Sequence, residues 1–507
     1  MNASPPTDAT IDQAVRHYAQ TRPDDVAVLD PNEQLTWAQL NLAADQVATY
    51  LHHQGIRNGS RIGWLGPNTV HYAPSLLGSW RVGAALVGMN WRMPQAELEA
   101  ASQVVGLDHL IADQRFAAAA QQIHPDATSI AGPGGTPWSA IEPVRESRTP
   151  QIQEAEAMIY FTSGSTGTPK AVPLTRAAVE ATMVHAEVHH FSPGDRALIV
   201  PPTFHVAGAT WTLYSLKGGV TLVYTDNAAP AALVDTMRNQ EVTHAILVPT
   251  LIQALVAELR HAPRPLPHLS HIGYGASPIA PELLAEAIEV LGCEFSQVYG
   301  MTETGGGVSF LANADHQLEG PGRERLASAG RPGVGVELEI REPGTGGILQ
   351  HGQVGELWLR TPCLTQGYIG TDDPTGGVLI DGWLNTRDVG YRDAAGFLYL
   401  VGRADDMIQT GAENVHPRAV EEVLLNHPAV TDCAVYGVPH PRWGEQVCAA
   451  IISTAHPATA AELSAHCAER LAGYQIPKQF LFVDELPRTA TGKVQRKELI
   501  ARTPNLH

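Results

Sequence analysis

Positive charge is in short supply in this chain. Across 507 residues, 33 Lys and Arg face 52 Asp and Glu, a formal net charge of -19. Nucleic acids and anionic membranes are met by basic patches, so neither is expected as a general partner. Cysteine is scarcer still. Cys293, Cys363, Cys433, Cys448 and Cys467 are scattered, odd in number and without Cys-x-x-Cys spacing. That excludes a disulfide framework and fits free thiols in a reducing compartment. No 18-residue apolar run marks a membrane span, and Met1-Asn2-Ala3-Ser4-Pro5-Pro6 lacks the basic and apolar regions of a secretory signal. Zinc spacings, a kinase His-Arg-Asp set and a Gly-x-Ser-x-Gly elbow are missing too. A cytoplasmic enzyme without a membrane span is expected.

What is present is length and alternation. A chain of this size can bury more than one core. Residues 10–55 read as helical in two pieces. Short apolar runs follow at 61–65, 83–87, 197–200, 220–224 and 244–248, with helix-compatible stretches between them. This alternation predicts layered α/β sheets covered by helices. Residues 123–153, rich in Pro, Gly and charge, read as an irregular surface excursion. Gly, turn residues and short strands over 330–400 predict a small antiparallel sheet or distorted barrel. Beyond 405 the order helix (417–426), strand (430–438), strand (447–452), helix (458–472) predicts a compact α+β unit. The expected fold is a large α/β N-terminal domain (1–404) with layered sheets and a small distorted barrel. A small mobile α+β C-terminal domain (405–507) follows, with the hinge at Asp405.

The chemistry centres on Thr162-Ser163-Gly164-Ser165-Thr166-Gly167-Thr168-Pro169-Lys170. The preceding run Met158-Ile159-Tyr160-Phe161 predicts a strand. The glycines and small hydroxyls then suit a loop that points N–H groups at an anion, with the Lys170 charge at its far end. The spacing is not that of a kinase or GTPase P-loop, nor of a dinucleotide-binding turn. Other candidates follow apolar runs. His205 lies in Pro202-Thr203-Phe204-His205-Val206-Ala207-Gly208. Gly273-Tyr274-Gly275-Ala276-Ser277 suits close approach of backbone to a flat ligand. In Tyr299-Gly300-Met301-Thr302-Glu303-Thr304 a glutamate beside hydroxyls supplies hard oxygens for Mg²⁺. Asp388, read as lying in a turn, suits a ribose diol, and Arg403 an ion pair or a polar ligand contact. Lysine is rare here, yet it stands in two glycine-rich segments, at Lys170 and at Lys493 in Thr491-Gly492-Lys493. A compact, movable ammonium is the reason to choose it over arginine.

Together these motifs resemble the adenylate-forming superfamily of acyl- and aryl-CoA synthetases, peptide-synthetase adenylation domains and beetle luciferase, over essentially the whole chain. The resemblance implies activation of a carboxylic acid by ATP and Mg²⁺ to an acyl-adenylate, then transfer to coenzyme A. It implies that residues 162–170 order the β- and γ-phosphates and that Gly275, Ala276, with neighbouring Ser277, and Tyr299 enclose adenine. Thr304 would contact the α-phosphate or carboxylate, Glu303 and Thr166 would attend Mg²⁺, and Asp388 and Arg403 would hold the ribose. Lys493 would bridge the carboxylate and α-phosphate, and His205 would gate the acyl pocket. Asp405 falls at the hinge about which the small domain rotates between half-reactions.

The resemblance says less about the acceptor. Trp443 in His440-Pro441-Arg442-Trp443-Gly444-Glu445 and Gly411 in Gly411-Ala412-Glu413-Asn414 match segments lining the pantetheine tunnel. Many CoA ligases have a second glycine where Ala412 stands, which keeps open transfer to a carrier protein or a separate thiolating enzyme. No acid follows His205 in Val206-Ala207-Gly208-Ala209, so an acid without an α-amine is expected. Gly305-Gly306-Gly307 would leave room for an aromatic, alicyclic or fatty acid. The resemblance also allows a homodimer. A catalytically silent ligand-binding scaffold is the rival from another class, opposed by intact Lys170, Glu303, Asp388, Arg403 and Lys493.

Overall fold

In the computed structural model, residues 5–6, 8–130, 136, 138–143, 154–162, 170–411, 413–454, 456–488 and 494–503 are described. Contacts divide the chain into two units. The larger is Met1–Leu326 with Pro332–Glu337 and Arg360–Gly382; the smaller is Ala327–Arg331, Leu338–Leu359 and Trp383–His507.

Two sheets organise the larger unit. In one, six parallel strands lie in the order Glu294–Met301, His271–Gly275, His244–Leu247, Arg196–Ile199, Thr221–Tyr224 and Val26–Leu29. Antiparallel strands Gly306–Leu311 and Gln34–Thr36 flank this set. The central strands are buried at nearly every position, as sheets covered on both faces require. The second sheet runs Thr128–Ile130, His109–Asp113, Arg61–Leu65, Ala85–Met89, Glu156–Thr162, Lys170–Thr175 and is parallel except for its last pair.

The expected α/β layering is present, with local corrections. Residues 10–55 are not only helical. Helices Ile11–Thr21 and Trp37–His53 are separated by strands Val26–Leu29 and Gln34–Thr36. Each helix begins with a capping box, Thr10 with Gln13 and Thr36 with Gln39, which satisfies backbone N–H groups at the helix start. The expected excursion over 123–153 contains the paired strand Thr128–Ile130 and the buried Trp138, while 131–135, 137 and 144–153 lie outside the described residues. Helix Tyr72–Arg81 is buried throughout. A β-carbon on Gly78 would sit 2.4 Å from Val47 Cγ1, so the glycine lets this helix lie against Trp37–His53. Arg81 ends the helix in the core, paired with Asp12 at 2.7 Å and Asp45 at 2.9 Å. Burial pushes Asp12 up, but Arg81 and Arg16 outweigh it and hold the carboxyl below its usual value.

The smaller unit contains the expected antiparallel sheet, with strands Glu337–Arg341, Gly355–Arg360, Trp383–Arg392 and Leu398–Arg403. It also contains a long hairpin, Val430–His440 with Gly444–Ser453, beside helices Pro417–Leu425 and Ala460–Ala468. Val420, Leu424, Val435, Ala449, Ile451 and Leu463 form one buried cluster there.

Candidate active site

The C-terminal ends of the parallel strands in the larger unit carry most of the candidates, where open α/β sheets place ligands. Strand Glu156–Thr162 is indeed a strand, and it pairs antiparallel with Lys170–Thr175, with Thr162 opposite Lys170. Lys170 therefore opens a strand rather than ending a loop. Ser163, Gly164, Ser165, Thr166, Gly167 and Thr168 lie outside the described residues.

The ammonium of Lys170 lies 5.2 Å from the ring centroid of Tyr368, within cation–π reach. The hydroxyl of the same tyrosine donates to Glu303 Oε1 at 2.9 Å. Burial pushes the Tyr368 phenol well above its usual range, and Glu303 pushes it further, so it stays a proton donor. The tyrosine engages Oε1 of the carboxylate, whose oxygens are of the hard type that Mg²⁺ takes. Thr365 N–H donates to the Glu303 carbonyl at 2.7 Å, tying the same loop to the turn from the other side. Sequence reasoning missed Tyr368. It stands 65 residues from Glu303 in a Gly-Tyr pair, and only folding brings it between the two charged groups.

Thr304 sits differently from the expectation. It is 0% exposed and its hydroxyl contacts the Met301 and Gly306 carbonyls at 3.0 and 2.8 Å. Here it fixes the turn beneath Glu303. Gly305 and Gly306 follow with φ of +64° and +139°. The space expected beside the glycine triplet is partly filled, since a β-carbon on Gly307 would meet Val298 Cγ1 at 2.5 Å.

Gly275 closes strand His271–Gly275, and a β-carbon there would lie 2.2 Å from the Val298 carbonyl. The neighbouring strand alone thus requires glycine, whatever ligand approaches. Ala276 follows in the left-handed region at φ +67° and is exposed, and Ser277 is half-buried. Such a conformation is strained for alanine and recurs at ligand sites. Tyr299 lies within strand Glu294–Met301, not after it, at a register shift between Tyr299 and Gly300.

His205 is the N-cap residue of helix Val206–Gly218, beside Phe204 at 4.5 Å between ring centroids. Its Nε2 is buried without a hydrogen-bond partner. Burial, with a contribution from Arg92, lowers the imidazole to about 4, so it is neutral near pH 7.

The smaller unit holds the other candidates. Asp388 lies in strand Trp383–Arg392, not in a turn, opposite Arg403 on Leu398–Arg403. Arg403 Nη1 donates to Asp388 Oδ1 at 3.0 Å, and its Nη2 lies 3.7 Å from Asp405. The left-handed Arg387, at φ +61°, stands beside Asp388 just before a register shift in that strand. Gly411 has φ +68° and open space around its α-carbon, and its N–H donates to the Trp443 carbonyl at 2.6 Å. Trp443 stacks on His440 at 4.3 Å with 16° between the planes. Lys493 and Ala412 lie outside the described residues.

Lys170 from one sheet and the tyrosine-oriented Glu303 from the other meet beside strained strand ends, an arrangement that suits an adenylate-forming ligase. The chain belongs to the AMP-binding enzyme family: the model of that family matches residues 15–369, and the AMP-binding enzyme C-terminal domain matches 419–493. It is 33% identical over 503 residues to the fatty acid–acyl-carrier-protein ligase ScoC of Streptomyces coeruleorubidus, covering 97% of this chain and 96% of that protein. A feruloyl-CoA synthase from an Amycolatopsis species is 32% identical over 492 residues, covering 96% and 97%. The solved o-succinylbenzoate CoA synthetase MenE of Bacillus subtilis, in complex with ATP and magnesium ion, superposes with a TM-score of 0.83. It is 28% identical, covering 96% of this chain and 98% of that one. The chain is thus an AMP-forming enzyme of the acid–thiol ligase class that activates a carboxylic acid with ATP. Among the described residues no helix is long and apolar enough to cross a membrane.

Proposed function

We propose that this chain joins a carboxylic acid without an α-amine to coenzyme A in two half-reactions. The observation that carries the reading is Tyr368, whose ring meets Lys170 and whose hydroxyl orients Glu303. Those residues lie 133 positions apart, and one side chain gives both a common support. In the first half-reaction a carboxylate oxygen forms a bond to the α-phosphorus of ATP as the bond to pyrophosphate breaks. Two anions must approach, so the barrier falls where cations and N–H groups are already placed. Lys170 and the 162–168 segment hold the β- and γ-phosphates. Glu303 and Thr166 would hold Mg²⁺, which when bound neutralises phosphate charge. Gly275, Ala276, Ser277 and Tyr299 receive adenine, Asp388 and Arg403 the ribose, and Thr304 keeps the turn beneath Glu303 in shape. Lys493 supplies the ammonium between the carboxylate and the α-phosphate. Neutral His205 borders the acyl group.

In the second half-reaction the thiol attacks the acyl carbonyl, the new C–S bond replaces the mixed anhydride C–O bond, and AMP leaves. Lys493 would obstruct that attack, so a 405–507 lid turning about Asp405 removes it. Gly411 and Trp443 border the thiol path. Free, mostly buried cysteines fit a cytoplasmic setting.

A second acceptor has its own support. The ScoC relative is named for an acyl-carrier protein, and Ala412 departs from the glycine of many CoA ligases. The test is a carboxylic-acid panel read by pyrophosphate release with ATP alone, with coenzyme A, and with acyl-carrier protein. Pyrophosphate release on acid and ATP, then thioester and AMP on adding coenzyme A, is expected. Turnover only with the carrier would shift the acceptor, and no release with any acid would overturn the reading.

A further inference from the structure

The N-terminal edge of the large parallel sheet carries a cluster that adenylation does not use. His271 and Glu294 begin adjacent parallel strands and are register partners, so their side chains leave the same face. His244 begins the next strand, opposite His271. Across this face runs the short helix Thr182–His189, capped by His190 at φ +56°.

Hydrogen bonding separates these histidines. His244 uses both ring nitrogens, Nδ1 with Thr243 Oγ1 at 2.8 Å and Nε2 with the His189 carbonyl at 3.0 Å. His271 is only half satisfied. Its Nε2 lies 2.7 Å from Ser296 Oγ, while Nδ1 has no hydrogen-bond partner although the residue is only 1% exposed. Nδ1 lies 3.7 Å from Glu294 Oε2, and that oxygen lies 3.1 Å from His190 Nδ1. The longer distance is outside hydrogen-bond range. It is close to the separation of roughly 3.4 Å between donor atoms that share one tetrahedral zinc at ~2.0–2.1 Å. One ligand atom from each of the three residues falls within 4.8 Å of the others.

We propose that His190, His271 and Glu294 form a binding site for a divalent transition metal of the zinc class, with water completing its coordination. Two imidazoles and one carboxylate suit zinc, whereas Mg²⁺ and Ca²⁺ prefer all-oxygen sites. Ser296 supplies the outer partner that a ligating histidine uses: its Oγ can accept a hydrogen bond from His271 Nε2–H while donating to His189 Nδ1 at 2.9 Å, a tautomer that leaves the His271 Nδ1 lone pair for the ion. Exposed His190 and Glu294 provide the entry path, and buried His271 fixes the site to the sheet. An ion there ties the Thr182–His189 helix to two strand starts.

The test is a Zn²⁺ titration of the full-length, untagged, chelator-treated protein by calorimetry, with Co²⁺ absorption as a second reading. His190→Ala and Glu294→Gln alter exposed side chains, so folding, checked by circular dichroism, should survive. The wild type should bind one equivalent that each variant loses or holds at least roughly tenfold more weakly, since disturbing even an outer partner weakens metal sites tenfold or more. The tetrahedral Co²⁺ band should disappear with it. Equal stoichiometry and affinity in all three proteins, or no binding by the wild type, would overturn the site and leave a plain histidine–glutamate hydrogen bond.

Discussion

The two ends of one parallel sheet make an instructive contrast. Each carries a histidine with a buried, unpartnered ring nitrogen, His205 at the C-terminal end and His271 at the N-terminal end. At the first end the backbone leaves its strands through strained turns, with Ala276, Gly305 and Gly306 at positive φ. Side chains from distant segments, Lys170, Glu303 and Tyr368, then meet there. At the second end register does most of the positioning, because His244, His271 and Glu294 are neighbours across paired strands. Convergent loops suit a large substrate whose charge changes during reaction, whereas a fixed row of side chains suits a single ion.

The largest expected effect separates the two ends outright. Glu303→Gln should lower pyrophosphate release by roughly two to three orders of magnitude, as removing one preorganised charge-stabilising group does elsewhere. It should leave zinc titration unchanged; loss of both would erase the contrast. Tyr368→Phe keeps the ring under Lys170 and removes only the bond to Glu303. A hydrogen bond to a charged group contributes about 1.5–3 kcal/mol, so adenylation should fall by roughly 10- to 100-fold. Magnesium dependence should shift with it, and unchanged kinetics would remove Tyr368 from the site.

Gly275→Ala probes packing at the first end, because its β-carbon would lie 2.2 Å from the Val298 carbonyl. We expect about 1–3 kcal/mol of destabilisation in denaturant melts, with or without nucleotide. A broader effect, on stability rather than activity, is spread over histidines whose rings are taken out of water. Burial lowers His109, His205 and His316 to about 4, against roughly 6.5 when unfolded. Between those values the unfolded chain binds more protons, so stability is complete above pH 6.5 and declines toward pH 4. Each such histidine contributes about 1.4 kcal/mol per pH unit across that window. Melting temperatures flat from pH 7 to 4.5 would contradict it.

Much of this was legible in the sequence, because period and spacing are local. The strand before residue 163, the alternating sheets, the antiparallel segment and the C-terminal helix–strand–strand–helix order all come from runs of a few residues. What was not legible depends on partners far along the chain. Tyr368 looks like any loop tyrosine until it lies between Lys170 and Glu303. That Gly275 is also required by the Val298 carbonyl, and that the Thr304 hydroxyl also bonds within its own turn, depends on partners that spacing does not reveal. Strands 26–29 and 34–36 escaped because pairing to Thr221–Tyr224 and to each other, not local propensity, makes them strands. The row His190, His244, His271 and Glu294 was overlooked because its consecutive members stand 54, 27 and 23 residues apart and meet only through strand register and the end of the Thr182–His189 helix.

The central claim is that one lysine, Lys493, serves acid activation and not thiol transfer. The direct measurement compares wild type and Lys493→Ala in ATP–pyrophosphate exchange and, separately, in thioester formation from a supplied acyl-adenylate. The account predicts exchange lower by roughly two to three orders of magnitude with thioester formation within a few-fold of wild type. Equal loss in both half-reactions, or unaltered exchange, would contradict it.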